Sequence, residues 1–432
     1  MFILRRIGMF KTFKVVNFKS IVETTVPLTY MEKKAPNGYK EKETIPFLET
    51  GKERLVSLLM LFGSNASGKT NLITAFSWYF HILQDGIKGK FAPNKLNKRY
   101  NTTTLELTFV WKGAQYTHLI EYDQTHIVKE KFTRQEQVLF EIQEHKITAQ
   151  TIATKGYGLA EFTNILSVEC SAGEQQIHSF LTKLVGRLPG LDQNISGALQ
   201  YLLIDTRVIT VGNTLHPSMV FDTFKGLGIS FEEAFAEITH ILQLLDLTIT
   251  RLELLQEEKT IPFVPPLTQT PASFYFEKES HQFKQRSDRI ISFHKDVDGR
   301  EIPFEFFQEE SQGTIRLFSI IGTFLLTLKR GGVLIWDELD ASLHPCLLRE
   351  LLRMFKSKRY NTTNAQLITS LHDPYILEDE NVRVSDIAVI NNTLNKGTTL
   401  TRVVDFDDAR NDINFRKQYM EGHFRGIPNA YL

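Results

Sequence analysis

Apolar and polar positions alternate with two different periods along this chain, and the changes of period mark its parts. Residues 10–23, FKTFKVVNFKSIVE, read as a strand that turns at Asn17. The apolar run RLVSLLM then breaks into small polar residues, and NLITAFSWYF follows with apolar side chains at helical spacing to about residue 85. Residues 102–133 alternate strictly and break at Lys112-Gly113 and Asp123-Gln124, which predicts an antiparallel meander. Helical spacing dominates 160–246, as in EQQIHSFLTKLVGRL and FEEAFAEITHILQLLDL. Strand character returns in TITRLELL and PASFYFEK, and RIISFHKDVDGREIPFEF predicts a hairpin turning at Asp298-Gly299. From 311 onward helices alternate with the apolar strands GVLIWD, AQLITS and IAVINN, the signature of a layered α/β sheet. The predicted division is 1–135, a mostly helical insertion over 136–285, and 286–432, with no internal repeat.

Charge changes this picture little. Lys plus Arg and Asp plus Glu number 50 each, so no global attraction to nucleic acid or membrane follows. Local basic faces are confined to Lys95, Lys98 and Arg99, and to Lys356, Lys358 and Arg359; such clusters more often form solvated surface. Cys170 and Cys346 are too few and too far apart for a zinc site or a disulfide framework, which fits a reducing cytoplasm. The opening MFILRRIGMFKTF lacks the apolar core of a signal peptide, and LFSIIGTFLLTL at 317–328 is too short to span a bilayer. The expectation is a soluble cytoplasmic protein with no membrane partner, in which 317–328 is a buried helix.

Candidate chemistry starts where the first apolar strand ends. LFGSNASGKT places Gly63, then Ser64, Asn65, Ala66 and Ser67, then Gly68, Lys69 and Thr70 between a strand and a helix. That spacing is a phosphate-binding loop: backbone N–H groups converge on phosphate oxygens, Lys69 reaches the β- and γ-phosphates, and Thr70 ligates Mg²⁺. GGVLIWDELDASLHP supplies an apolar strand ending in Asp337 and Glu338. Asp337 suits the Mg²⁺ shell and Glu338 the role of general base for an attacking water, while Trp336 reads as core. LITSLHD ends a further strand at His372, placed to contact a γ-phosphate. In EESQGTIRLFSI, Ser311 and Gly313 open a helix whose N-terminus can bind an anion, with sense if it closes on the nucleotide of a second subunit.

The series VVNFKS, GSNASGKT, SQGT, VLIWDELDASLHP and TSLHD resembles the ABC-type ATPases of the SMC and RecF group. The NFKS opening, the DELDASLHP strand exit and the ending YMEGHFRGIPNAYL are more closely similar to a prokaryotic family of ABC-like ATPases. That family includes abortive-infection proteins and the ATPase subunits of two-gene phage-defence systems such as PARIS and Septu, and is related to the OLD ATPases. The resemblance covers about 1–135 and 285–432 and implies an ABC-type P-loop ATPase head with an antiparallel β lobe and a helical insertion. It implies ATP and Mg²⁺ as cofactors and a homodimer or higher homo-oligomer with composite ATP sites. It further implies Walker A at Gly63–Thr70, Walker B at Asp337 and Glu338, a D-loop at Asp340, a degenerate signature at Ser311 and Gly313, and a switch at His372. Asn17, Lys19 and Ser20 match the family's opening strand, whose basic residue lies near the nucleotide.

The Toprim nuclease domain of OLD proteins has no counterpart here, nor is there an HNH or metal-ligand pattern. A separately encoded effector, a toxin or nuclease, is therefore expected, with a phage protein as trigger. A RecF- or SMC-like DNA-binding ATPase of repair or chromosome maintenance is the alternative; the neutral charge and the C-terminal ending favour defence. A transporter subunit is set aside, because Lys69 and Ser311 lie too far apart in the chain and no membrane span is present.

Overall fold

The structure is a computed structural model that describes residues 8–33, 45, 47–50, 52–97, 99–144, 146–150, 177–182, 191–210, 220, 224, 230–243, 248–261, 272–277, 282–393 and 396–426. It has two compact units, one of Met1–Gly212 with Thr327–Leu432, the other of Asn213–Leu326.

The first unit opens with β1 (Gly8–Phe18) and β2 (Ile21–Pro27). The short pair β3 (Leu48–Thr50) and β4 (Glu53–Leu55) precedes β5 (Leu58–Phe62) and helix α1 (Lys69–Asp85). A meander follows: β6 (Thr103–Trp111), β7 (Ala114–Tyr122), β8 (Ile127–Arg134), β9 (Gln137–Gln143) and β10 (Lys146–Gln150). Then come α2 (Gln193–Ile204) and β11 (Thr206–Ile209). The second unit holds α3 (Phe231–Gln243), β12 (Ile249–Ile261), β13 (Ala272–Glu277), β14 (Gln282–Lys295), β15 (Glu301–Glu305), the single turn α4 (Phe306–Glu309) and most of α5 (Gln312–Arg330). The first unit resumes with β16 (Val333–Trp336), α6 (Pro345–Lys356), β17 (Gln366–Ser370), β18 (Ile387–Thr393), β19 (Gly397–Arg402) and α7 (Phe415–Met420).

Thirteen strands of the first unit form one mixed sheet in the order β10-β9-β8-β7-β6-β1-β2-β19-β18-β5-β17-β16-β11. From β18 to β11 neighbouring strands are parallel, with Ile387 opposite Met60, Leu367 opposite Leu58, Val333 opposite Gln366 and Thr206 opposite Val333. The remaining pairs are antiparallel. An α/β architecture with an antiparallel β lobe is thus present. All five residues of β5 and all five of β17 are buried, the polar Gln366, Thr369 and Ser370 included, as parallel strands covered on both faces require. α1 packs on the lobe through aromatic rings: Phe13 stacks on Phe76 at 3.8 Å between centroids, and Phe18 meets Trp78 edge-on at 5.0 Å.

Several expectations need correction. The first hairpin turns at Lys19-Ser20, with Phe18 opposite Ile21, while Asn17 still belongs to β1 in left-handed backbone (φ 56°). Asparagine tolerates that conformation, so its turn signal marks a local twist rather than the reversal. The meander continues past 135 through β9 and β10, because QVLFEIQ keeps the period of two. Among the described residues of 136–285, α2 and α3 are the long helices, and strand residues outnumber helical ones. Boundaries at 135 and 285 therefore fall inside β structure, whereas the second compact unit covers 213–326. Much of EQQIHSFLTKLVGRL, together with Cys170 and Lys98, lies outside the described residues.

The hairpin over Asp298-Gly299 forms between β14 and β15, with Lys295 opposite Glu301. Phe318, Ile321, Phe324 and Leu328 of α5 are buried, in keeping with a core helix. Among the described residues no helix is long and apolar enough to cross a membrane. Lys356 is no surface cation: it is buried in an ion pair with Asp386, itself 1 % exposed.

Candidate nucleotide-binding site

β5, β17 and β16 are adjacent and parallel, so their C-terminal ends share one edge of the sheet. Each end carries one predicted element: the loop Gly63–Gly68 after β5, Asp337 and Glu338 after β16, His372 after β17. Ligands of open α/β sheets collect at such an edge.

The loop owes its shape to close approaches that side chains would block. A Cβ on Gly63 would stand 2.4 Å from the Ile390 carbonyl oxygen. Gly68 has φ 105°, and a Cβ there would meet Thr398 Oγ1 at 2.2 Å. Ala66 also takes left-handed backbone, at φ 63°. Ser64, Asn65 and Ala66 are partly or fully exposed, and the Ser67 N–H closes the turn on the Ser64 carbonyl at 3.1 Å. Lys69, 5 % exposed, folds back so that Nζ donates to the Gly63 carbonyl at 2.7 Å and to the Ser64 carbonyl at 3.2 Å. Burial lowers the pKa of its ammonium, against the pull of Asp337, Glu338 and Asp340.

Asp337 is 2 % exposed, and its carboxylate accepts the Ser370 hydroxyl at 2.5 Å. That hydroxyl also accepts the Glu338 N–H at 2.7 Å, so one serine sets both acidic residues. Burial raises the Asp337 pKa, while the Ser370 and Thr70 hydroxyls oppose the rise. Glu338 sits in left-handed backbone at φ 53°, a strain that turns its carboxylate out of the strand. Its Oε1 lies 3.2 Å from His372 Nε2, and both side chains are about one-third exposed. Asp340 Oδ2 accepts the N–H groups of His372 and Asp373 at 2.6 and 2.7 Å, which fixes the turn bearing the histidine.

The donor set fits a magnesium ion with a phosphate ligand. Asp337 Oδ2 is buried and has no hydrogen-bond partner, and the exposed Thr70 hydroxyl bears on the same carboxylate. Magnesium needs only one or two protein oxygens when phosphates complete its shell. Among the described residues no cluster of three or more His, Cys, Asp or Glu side chains offers a metal site independent of such a ligand.

The opening-strand residues divide. Asn17 is fully committed inside the fold: its amide donates to the carbonyls of Tyr100 and Thr102 and accepts the Asn94 N–H. It cannot also bind a nucleotide, which corrects the expectation for this residue. Lys19 and Ser20 instead line a cavity of about 790 Å³ with Phe91, Asn94, Lys95 and Asn392 on its wall and, among the described residues, no carboxylate in its lining. The Lys19 ammonium stands 5.7 Å from the ring centres of Phe18 and Trp78, and burial lowers its pKa. Ser20 Oγ accepts from Asn71 Nδ2 at 2.6 Å and pairs with Thr398 Oγ1 at 2.7 Å. Thr398 in turn donates to the Ser67 carbonyl at 3.3 Å, so the cavity adjoins the back of the phosphate loop.

In the second unit Ser311 caps α5, accepting the Thr314 N–H at 3.1 Å, and Gly313 next to it has open space beyond Ser311. Trp336 is half-buried. Sequence reasoning missed Ser370, Asn71 and Thr398 as supports of the site. Ser370 stood within the TSLHD strand end and could have been found as the residue level with Asp337 on the neighbouring strand; Thr398 carries no local signal.

Residues 213–378, which contain Ser311, Asp337, Glu338, Asp340 and His372, match the family described as "AAA domain, putative AbiEii toxin, Type IV TA system". No curated protein matches the chain. Among solved structures it is similar to the SMC head domain from Thermotoga maritima at 12% identity and TM-score 0.40, covering 91% of this chain and 98% of that one. It is also similar to the recombination mediator protein RecF of the RecFOR pathway, at 10% identity and TM-score 0.38, covering 92% and 99%.

Proposed function

We propose that this chain binds and hydrolyses ATP as an ABC-type head. The observation that carries this reading is the convergence of Lys69, Asp337, Glu338 and His372 on one sheet edge, with a buried carboxylate oxygen left unpartnered beside the loop. Lys69 exchanges the carbonyls of its own loop for β- and γ-phosphate oxygens, joined there by the loop N–H groups. Thr70 and Asp337 hold Mg²⁺, which supplies charge neutralisation at the phosphates. Glu338 orients a water and takes its proton, while His372, hydrogen-bonded to Glu338, senses the γ-phosphate. Lys19 and Ser20, with the wall of the adjoining cavity, receive the nucleoside end. Ser311 and Gly313 complete the site of a second copy, giving a homodimer or larger homo-oligomer with composite sites.

The biological setting we infer is phage defence, with this chain as the sensor or scaffold that holds a separately encoded effector. The matched family's description names a toxin of a toxin–antitoxin system, and the resemblance in sequence points the same way. Segment 136–285 then supplies assembly or effector-docking surface. The test is to express the chain with the product of its neighbouring gene. Co-elution, with ATP hydrolysis that Lys69→Ala abolishes, supports the reading. Hydrolysis stimulated by duplex DNA with no retained partner would replace it by a repair ATPase.

A further inference from the structure

Glu310 has no part in the reaction proposed above, yet it leads directly into the exposed turn Ser311, Gln312 and Gly313. Its side chain is only 9 % exposed. Ser292 Oγ donates to Glu310 Oε1 at 2.5 Å, and His294 Nε2 lies 2.6 Å from the same oxygen. Ser292 and His294 stand two residues apart on β14, so both meet the carboxylate from one face of the sheet. Ser292 is fully buried. The histidine is itself held: Nδ1 lies 2.8 Å from Thr248 Oγ1, and the ring meets that of Phe304 edge-on at 4.8 Å. The Glu310 N–H donates to the Phe306 carbonyl at 3.3 Å, and the buried Phe306 ring lies 5.0 Å from that of Phe318 on α5. All of these residues belong to the second unit.

A carboxylate this enclosed is tolerated because donors meet it, and hydrogen bonds to a charged group are about twice as strong as neutral ones. Ser311 Oγ turns back on its own helix, accepting the Thr314 N–H at 3.1 Å and pairing with Thr314 Oγ1 at 2.9 Å. The side-chain anchor of the turn on β14 is therefore the residue before it. The grip has a second effect: an unheld carboxylate next to Ser311 would repel a phosphate approaching the turn. We propose that Glu310 is a positioning residue for the composite site, which, held by Ser292 and His294, fixes the turn 311–313 in the shape with which one copy completes the nucleotide site of another. The inference rests on the composite-site reading above. Such a residue serves the other copy: its loss spares the phosphate loop of its own chain and disables the site that the chain completes.

The experiment uses full chains and equal mixtures of them. Hydrolysis of MgATP is measured for Glu310→Ala alone, mixed with Lys69→Ala, and mixed with Ser311→Arg, and each chain is titrated with a fluorescent ATP analogue. Glu310→Ala is expected to bind the analogue within about twofold of wild type but to hydrolyse ATP at least about tenfold more slowly, the turn having lost a hydrogen-bonded charge. With Lys69→Ala it is expected to regain about a quarter of wild-type hydrolysis, because it supplies a phosphate loop and the other chain an intact turn. With Ser311→Arg it is expected to regain nothing, because both chains lack the turn. Glu310→Gln, whose carbonyl oxygen still accepts from Ser292 and His294, is expected to stay within about threefold of wild type. Should Glu310→Ala not fold, Ser292→Ala removes one donor and keeps the carboxylate; it is expected to give about threefold more hydrolysis with Lys69→Ala than with Ser311→Arg. Wild-type hydrolysis by Glu310→Ala would overturn the proposal, as would equal regain with the two partners. So would a Glu310→Ala chain that regains nothing with either while those two regain activity with each other. If Lys69→Ala and Ser311→Arg regain nothing together, the composite-site reading itself falls, and the proposal with it.

Discussion

At Lys69 burial and charge pull in opposite directions: desolvation disfavours the ammonium while three nearby carboxylates favour it. On the proposed reading, phosphate is the ligand that Lys69 exchanges for the carbonyls of its own loop. Lys69→Ala is expected to reduce nucleotide affinity by at least about a hundredfold, a charge-assisted contact being worth roughly 3 kcal/mol, as read by titration of an ATP analogue. Glu338→Gln keeps the shape and the His372 contact but cannot take a proton. It is expected to bind ATP normally and to turn over at least about a hundredfold more slowly, leaving ATP trapped in rapid-filtration assays. Turnover at the wild-type rate would remove Glu338 from the role of base.

At the scale of elements, α1 is held at both ends. Its start follows Gly68, and its end runs into Gly86 (φ 84°), where a Cβ would lie 2.5 Å from the Ile177 carbonyl oxygen. Gly86→Ala therefore combines a backbone penalty with a clash, and is expected to cost about 2–3 kcal/mol in urea denaturation without changing nucleotide affinity. Midway along, the Tyr79 hydroxyl lies 2.8 Å from His118 Nδ1, and His118 Nε2 lies 3.2 Å from Glu130 Oε1. Glu130 also accepts the Ser179 hydroxyl at 2.7 Å and the N–H groups of Phe180 and Leu181, which ties 179–181 to β8. Burial pushes the Glu130 pKa up, but His118, Ser179 and the Phe180 N–H outweigh it, so the net shift is below the ordinary 4.5.

A lowered carboxylate stabilises the fold fully above pH 4.5 and loses that contribution as pH falls toward and through its folded-state value. Glu130→Gln is expected to cost about 3 kcal/mol near neutral pH, the gap to wild type closing in acid below 4.5. Melting curves from pH 7 to 3 read both effects; a gap independent of pH would show that the charge is not what stabilises.

For the whole molecule, the composite sites proposed here would make one defect repairable by another. A chain with Lys69→Ala still offers its Ser311, and a chain with Ser311→Arg still offers its phosphate loop, so their heterodimer holds one intact site of two. Equal mixtures are expected to regain about a quarter of wild-type hydrolysis when subunits assort at random. No regain at any ratio, with both variants folded and assembled, would count against completion in trans.

Local chemistry was legible in the residues themselves. The Gly-rich spacing, the acidic strand end and the histidine strand end each encode a backbone shape within a few residues, and the periods of two and 3.6 encode which faces are buried. These features sufficed to mark the loop 63–70, Asp337, Glu338 and His372 as candidates and to predict the alternation of strand and helix. What joins distant segments carries no such period. Only the parallel pairing of β5, β17 and β16 brings three strand ends to one edge, and only their register sets Ser370 beside Asp337. Asn17 read as a nucleotide contact and became a buried hydrogen-bond hub, and Lys356 read as surface charge and became a core ion pair. In each case the partner lies far along the chain, and a side chain's role follows from the partner that packing supplies.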